Sequence, residues 1–129
     1  MIEDYSKFAD SFEECDIDPA AFAHRDHVGV AYEMLRRYEF LDAVARYSKC
    51  ISALAKKAGV AKKFNTTITL AFLSLIAERM DRSENDTFER FMEQNQDLLS
   101  SDLLKRWYTP DRLSSDLARA VFLMPNVAA

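Results

Sequence analysis

The residues best suited to chemistry are His24 and His27, which lie three positions apart in FAHRDHVGVAYEML, residues 22–35. Histidines at this spacing share one face of a helix and can both reach one metal ion. They can also orient a small ligand or transfer protons near neutral pH. A third interpretation is structural: His24 caps the helix, and His27 bonds a backbone carbonyl or Asn65. The sequence leaves all three open.

A tightly bound divalent metal is the less favoured of these interpretations. Zinc in proteins normally takes at least three protein ligands, and only His24 and His27 have a suitable spacing. A third ligand would have to come from a distant part of the chain. The candidates for it are Cys15, Asp16, Asp18 and Asp116. We therefore prefer a metal-free pocket, and the identity of any cofactor is unknown.

No motif in the chain fixes a reaction. The sequence has no glycine-rich phosphate loop. Neither Cys15 nor Cys50 lies in a recognisable nucleophile–histidine arrangement. Whether the protein is an enzyme is therefore uncertain from its sequence.

The elements that position the histidines are predicted to be helices. The chain has 129 residues, is 49% hydrophobic, and contains only two glycines and three prolines. This composition is typical of a single all-α domain. Within one domain, 1–129, we predict an N-terminal arm or short helix over 1–20, a three-helix core over 21–81 and short C-terminal helices over 86–123.

Apolar periodicity locates the three core helices. The second helix is predicted from residue 21 or 23 to 38, the third over 40–58 and the fourth over about 63–80. The fourth is apolar on almost every side, which is typical of a buried helix, so we expect it to be the central one. After it, a loop at 81–86 with a cap at Asn85 or Asp86 and short helices at 101–108 and 115–123 are expected.

Helical geometry turns both histidines towards the core. At about 100° per residue, His27 lies about 60° from His24, and the apolar stripe of the second helix runs alongside them. Short connections favour antiparallel neighbours, so the second and fourth helices should begin at the same end of the bundle. Asn65 and Thr69 also face inward near the start of the fourth helix. The sequence therefore predicts a ligand-binding cluster of His24, His27, Asn65 and Thr69.

Charge and cysteine content limit the partners. Two cysteines without a recognisable pattern, Cys15 and Cys50, do not predict a disulfide framework. The net charge of −4 argues against nucleic-acid binding. No signal peptide or membrane-spanning segment is recognisable. A soluble, cytoplasmic protein without nucleic-acid or membrane partners is the simplest expectation, and its oligomeric state is unknown.

Three segments resemble an uncharacterised family of small bacterial all-helical proteins. They are FAHRDHVGVAYEML, KKFNTTITLAF and RWYTPDRLSSDLARAVFLMPN, and the resemblance spans about residues 20 to 126. The family motifs look like F-x-H-x-x-H-V/L, K-Y-H-E-T-I-T and Y-S-x-x-x-L-x-S-x-x-A-R. The resemblance implies a metal set of three imidazoles and a carboxylate, but Asn65-Thr66 stands where the family has His-Glu. Only His24 and His27 of that set are present, and the resemblance implies no activity.

Together these observations predict a small helical protein with a polar pocket at one end of the bundle. The pocket would bind a small ligand or be a degenerate metal site formed by His24 and His27. The alternative is a non-catalytic accessory or protein-interaction module in which the histidine cluster is structural.

Overall fold

A computed structural model of the chain describes residues 4–83 and 87–127, which contain helices and no strand. The α-helices are α1 (Ser6–Glu13), α2 (His24–Arg37), α3 (Phe40–Lys57), α4 (Thr66–Arg82), α5 (Phe88–Gln94), α6 (Pro110–Leu113) and α7 (Asp116–Ala120). Short 3-10 turns lie at Pro19–Ala21, Ala61–Lys63, Gln96–Leu99 and Leu103–Arg106. The predicted all-α, single-domain fold is confirmed.

The central helix is α2, and the prediction that the fourth helix would be central is wrong. Every residue of α2 from Val28 to Met34 is buried, because α1, α3, α4 and the turn at Gln96–Leu99 all pack against it. In contrast, α4 leaves one side in solvent, where the side chain of Ile68 is 40% exposed. An apolar helix surface is thus not enough to identify the most enclosed helix.

The N-terminal helix is part of the core rather than an arm. The ring of Tyr5, just before α1, is 2% exposed and packs edge-on against Phe88 of α5, with 4.9 Å between ring centroids. It also lies flat against the backbone of α2, where a Cβ on Gly29 would come within 2.3 Å of the ring. The core therefore extends on both sides of the predicted three-helix segment, 21–81.

The start of α4 is set by a capping residue. Asn65 has an extended backbone, and its side-chain Oδ1 accepts a hydrogen bond from the backbone N–H of Ile68 at 2.9 Å. This is the usual arrangement for an N-cap asparagine. The residues before it, Ala61–Lys63, form a 3-10 turn, so α4 begins three residues later than predicted.

The C-terminal helices are shorter than predicted, although two of their caps follow the expected chemistry. Ser115 Oγ accepts from the N–H of Ala118 at the start of α7, and Thr109 Oγ1 accepts from the N–H of Arg112 at the start of α6. The region 101–108 contains only a 3-10 turn, and the helix predicted over 115–123 ends at Ala120. The cap predicted at Asn85 or Asp86 lies outside the described residues.

The segment after α7, residues 121–127, is held on the side of α4 by threonine side chains. Thr67 Oγ1 donates to the carbonyl of Val121 at 2.7 Å and accepts from the N–H of Leu123 at 3.0 Å. Thr66 Oγ1 donates to the carbonyl of Arg119 at 2.8 Å. These bonds satisfy backbone groups that the end of α7 would otherwise leave without partners.

A disulfide joins Cys15 to Cys50, although the two cysteines have no recognisable pattern and did not predict a disulfide framework. The bond closes a separation of 35 residues and ties the turn after α1 to the middle of α3. Cys15 adopts a left-handed backbone with φ of 57°, which brings its side chain back towards α3. The pairing depends on how α1 packs against α3, and local sequence spacing carries no signal for it.

Candidate functional site

A pocket of about 260 Å³ opens at the end of the bundle where α2 and α4 begin. His24, His27, Asn65 and Thr69 all contribute to its wall, so the structure brings together the four residues that the sequence grouped. The remaining lining residues are Tyr47, Ile51, Lys63, Phe64, Ile68 and Phe72. The parallel starts of α2 and α4, expected from the short connections, produce this arrangement.

His27 provides the most available polar group in the pocket. Its ring packs against Phe22, with 4.4 Å between ring centroids. Burial, followed by the nearby His24, lowers the pKa of His27 to about 4, although Asp26 acts in the opposite direction. The imidazole is therefore neutral at pH 7, with one N–H donor and one nitrogen acceptor. Neither ring nitrogen has a hydrogen-bond partner within residues 4–83 and 87–127.

His24 lies at the mouth of the pocket and is partly held by the chain. Its Nε2 is 3.3 Å from the carbonyl oxygen of Leu98, so it donates there when that nitrogen carries the proton. Nδ1 is then an acceptor. The predicted capping role of His24 is not observed, because Ala23 is the N-cap of α2 and the Asp26 carboxylate accepts from its N–H at 2.8 Å.

Asn65 and Thr69 form part of the wall but are already engaged with the backbone. Besides capping α4, Asn65 donates from Nδ2 to the carbonyl of Leu113 at 2.7 Å. Thr69 Oγ1 donates to the carbonyl of Asn65 at 2.7 Å. Both residues therefore stabilise the wall, and the hydroxyl oxygen of Thr69 is left mainly as an acceptor.

Sequence reasoning missed two polar residues that line the pocket, Lys63 and Tyr47. The pair Lys62-Lys63 has the pattern of a solvated helix end, but the 3-10 turn directs Lys63 to the pocket. Tyr47 is 2% exposed, burial raises its pKa, and its hydroxyl donates weakly to the carbonyl of His27 at 3.5 Å. The helical period of the third helix indicated burial of Tyr47, but not its position beneath the histidines.

The described residues contain no group of three or more histidine, cysteine, aspartate or glutamate side chains placed to hold a metal ion. Cys15 is occupied in the disulfide, Asp18 caps the turn at Pro19–Ala21, and Asp116 pairs with Arg119. A metal bound by His24 and His27 would therefore need its other ligands from solvent or from another molecule. The side chain of Thr66 bonds the carbonyl of Arg119 and is not part of the pocket lining.

The chain matches no protein-family model, and comparisons with curated proteins and with solved structures found no similar protein. The resemblance to the bacterial helical family stays a prediction that rests on the three sequence segments. Among the described helices, none combines the length and apolar character that crossing a bilayer requires.

Proposed function

We propose that this protein binds a small molecule in the pocket between the first turns of α2 and α4. The observation that carries the proposal is the unpartnered neutral imidazole of His27 facing a cavity with mostly apolar walls. Ligand sites are commonly concave and apolar, with a few polar groups that fix orientation. Here Ile51, Phe64 and Phe72 supply apolar surface, while His24 and His27 supply donors and acceptors.

The test is a fragment screen followed by ¹H–¹⁵N NMR titration of the full chain. We expect fragments that bind to shift the signals of His24, His27, Lys63 and Thr69. Ile68→Trp should block the pocket, because Ile68 lines it and is already 40% exposed. Leu41→Trp is the matched control, since Leu41 is 80% exposed and is not among the residues lining the pocket. Binding that survives Ile68→Trp, or a screen without any hit at the pocket, contradicts the proposal.

The second candidate function is a protein-interaction module. It is favoured by apolar side chains that remain in solvent around the C-terminal segment: Leu117 (58% exposed), Val121 (44%), Phe122 (43%) and Met124 (69%). Exposed apolar clusters are typical of interaction surfaces. Sedimentation of the wild type and of Met124→Asp tests this candidate, because a dimer that dissociates in the variant would support it.

The cellular location also belongs to the proposal. A cytoplasmic location stays a prediction, as does the lack of nucleic-acid partners. Disulfides persist mainly in oxidising compartments and are rare and usually redox-active in the cytosol. A cytoplasmic protein would therefore keep Cys15 and Cys50 largely reduced, which thiol labelling in intact cells can measure.

A further inference from the structure

We infer that the ligand of this pocket is a small carboxylic acid with a compact apolar body, bound as its anion. The inference rests on the proposed function and concerns the chemical class of the ligand. It follows from three independent features of the pocket: the sign of its ionisable side chains, the helix ends that surround it, and the nature of its walls.

The ionisable side chains favour an anion. Of the ten residues that line the pocket, Lys63 carries positive charge, the rings of His24 and His27 offer nitrogen atoms for hydrogen bonds, and none is an aspartate or glutamate. The nearest acidic residue to His27 is Asp26. Its carboxylate is engaged elsewhere, accepting from the N–H of Ala23 at 2.8 Å and from the hydroxyl of Tyr5 at 2.7 Å. A negatively charged group in the pocket thus meets donors and no competing carboxylate.

The helix ends act in the same direction. Both α2 and α4 begin at the pocket, and the N-terminal end of a helix favours negative charge. The first turn of α4 contains no acidic residue, so no side chain of that turn neutralises its positive end. The first turn of α2 contains Asp26, so α4 provides the stronger field for an anion.

The walls of the pocket indicate which kind of group the ligand carries besides its carboxylate. Ile51, Phe64, Ile68 and Phe72 present apolar surface to the cavity. An apolar cavity of about 150 Å³ holds benzene, so about 260 Å³ accommodates one ring or a branched chain together with a carboxylate. A free phosphate fits less well, because it is strongly hydrated, carries more charge and would leave the apolar walls uncovered. The lining also has no arginine to bind it with two parallel hydrogen bonds.

The experiment compares benzoate with benzamide, its neutral analogue of nearly the same shape, by NMR titration of the wild-type chain at pH 7. Inorganic phosphate and isobutyrate are titrated in parallel. We expect benzoate to bind at least tenfold more tightly than benzamide, and both carboxylates to bind more tightly than phosphate. The strongest shifts should fall on His27 and Lys63.

Two variants test the charged and hydrogen-bonding groups separately. Lys63→Gln should weaken benzoate by about fivefold and leave benzamide unchanged. Its matched control is Lys62→Gln, because Lys62 belongs to the same exposed turn but does not line the pocket. His27→Phe keeps the ring and removes its donor, so benzoate should weaken by about tenfold or more. The lysine variants keep the test informative if His27→Phe does not fold.

The outcomes separate this inference from the proposed function. If benzamide or phosphate binds as tightly as benzoate, or if only neutral fragments bind, the pocket binds ligands but their class is not carboxylate. If none of these probes and no fragment binds, the proposed function fails as well. If Lys62→Gln weakens benzoate as much as Lys63→Gln, the attraction comes from general surface charge and the inference is overturned.

Discussion

Reduction of the Cys15–Cys50 disulfide should lower the free energy of unfolding by about 3 kcal/mol. The bond closes a 35-residue separation. For a loop of that length, chain-entropy arguments give a loss of about 13 cal/mol/K, which is about 4 kcal/mol at room temperature. The left-handed backbone of Cys15 is held by the hydrogen bonds that end α1, from its own N–H to Phe12 and from the N–H of Asp16 to Ser11, so reduction does not release it. Residual structure in the reduced, unfolded chain makes the effect smaller than the entropic value, which gives about 3 kcal/mol.

The same value predicts a large thermal shift. Unfolding entropy is about 2.1 cal/mol/K per residue, so for 129 residues a loss of 3 kcal/mol lowers the melting temperature by roughly 10 °C. The assay is urea unfolding followed by circular dichroism, with and without a phosphine reductant. It should be repeated on the double variant Cys15→Ala/Cys50→Ala.

The double variant is the control because reductant cannot act on it. Its own stability also includes truncation of the buried Cys50 side chain, which is 3% exposed. The comparison with and without reductant therefore gives the cleaner measure of the cross-link. The reasoning would be refuted if reduction lowered the free energy of unfolding of the wild type by less than about 1 kcal/mol. It would also be refuted if reductant had an equal effect on the double variant.

Three further predictions concern packing and protonation. Gly29→Ala should lower the free energy of unfolding by about 1–2 kcal/mol in urea, because the new Cβ would come within 2.3 Å of the Tyr5 ring; overpacking costs exceed the helix-propensity gain of about 1 kcal/mol, and a more stable variant would contradict this. Thr67→Val should lower the free energy of unfolding by about 1–3 kcal/mol, since it removes two hydrogen bonds that hold the C-terminal segment on α4; Thr66→Val, which removes one hydrogen bond, should cost less. His27 is harder to protonate in the folded state, where its pKa is about 4 against an ordinary 6.5. The free energy of unfolding should therefore fall by up to about 3 kcal/mol as the pH drops from 6.5 to 4. NMR titration of the ring checks the pKa, and His27→Gln should make the stability less dependent on pH.

Much of the candidate site could be predicted because the helical period and the two short connections around α3 determine it. The three-residue spacing of His24 and His27 places both on one helix face whatever the helix packs against. The brief links on either side of α3 require α2 and α4 to start at the same end of the bundle. Those two facts bring Asn65 and Thr69 to the histidines. The contribution of Lys63 was missed because it depends on a 3-10 turn that apolar periodicity does not reveal.

The features that escaped prediction are those fixed by contacts distant in sequence. Cys15 and Cys50 pair because α1 packs against α3, and neither flanking sequence encodes that contact. Likewise, residues 121–123 were predicted to be helical but are not, because their backbone groups bond the side chain of Thr67 instead. Thr67, fully buried in the first turn of α4, both donates to and accepts from that segment.

The hydrogen bonds of Asn65 and Thr66 separate this pocket from the motif of the family that the sequence is predicted to resemble. A His-Glu pair at Asn65-Thr66 would place a third imidazole and a carboxylate at the start of α4. Here Asn65 caps the helix and donates to the carbonyl of Leu113, while Thr66 bonds the carbonyl of Arg119. Side chains at the two positions thus hold the C-terminal region against α4 rather than offering ligands to a metal. The histidines of α2 are then left facing an apolar cavity with a lysine at its edge. That combination suits an organic anion better than a cation. A cation would be bound most tightly by carboxylates, and the wall of the pocket contains none.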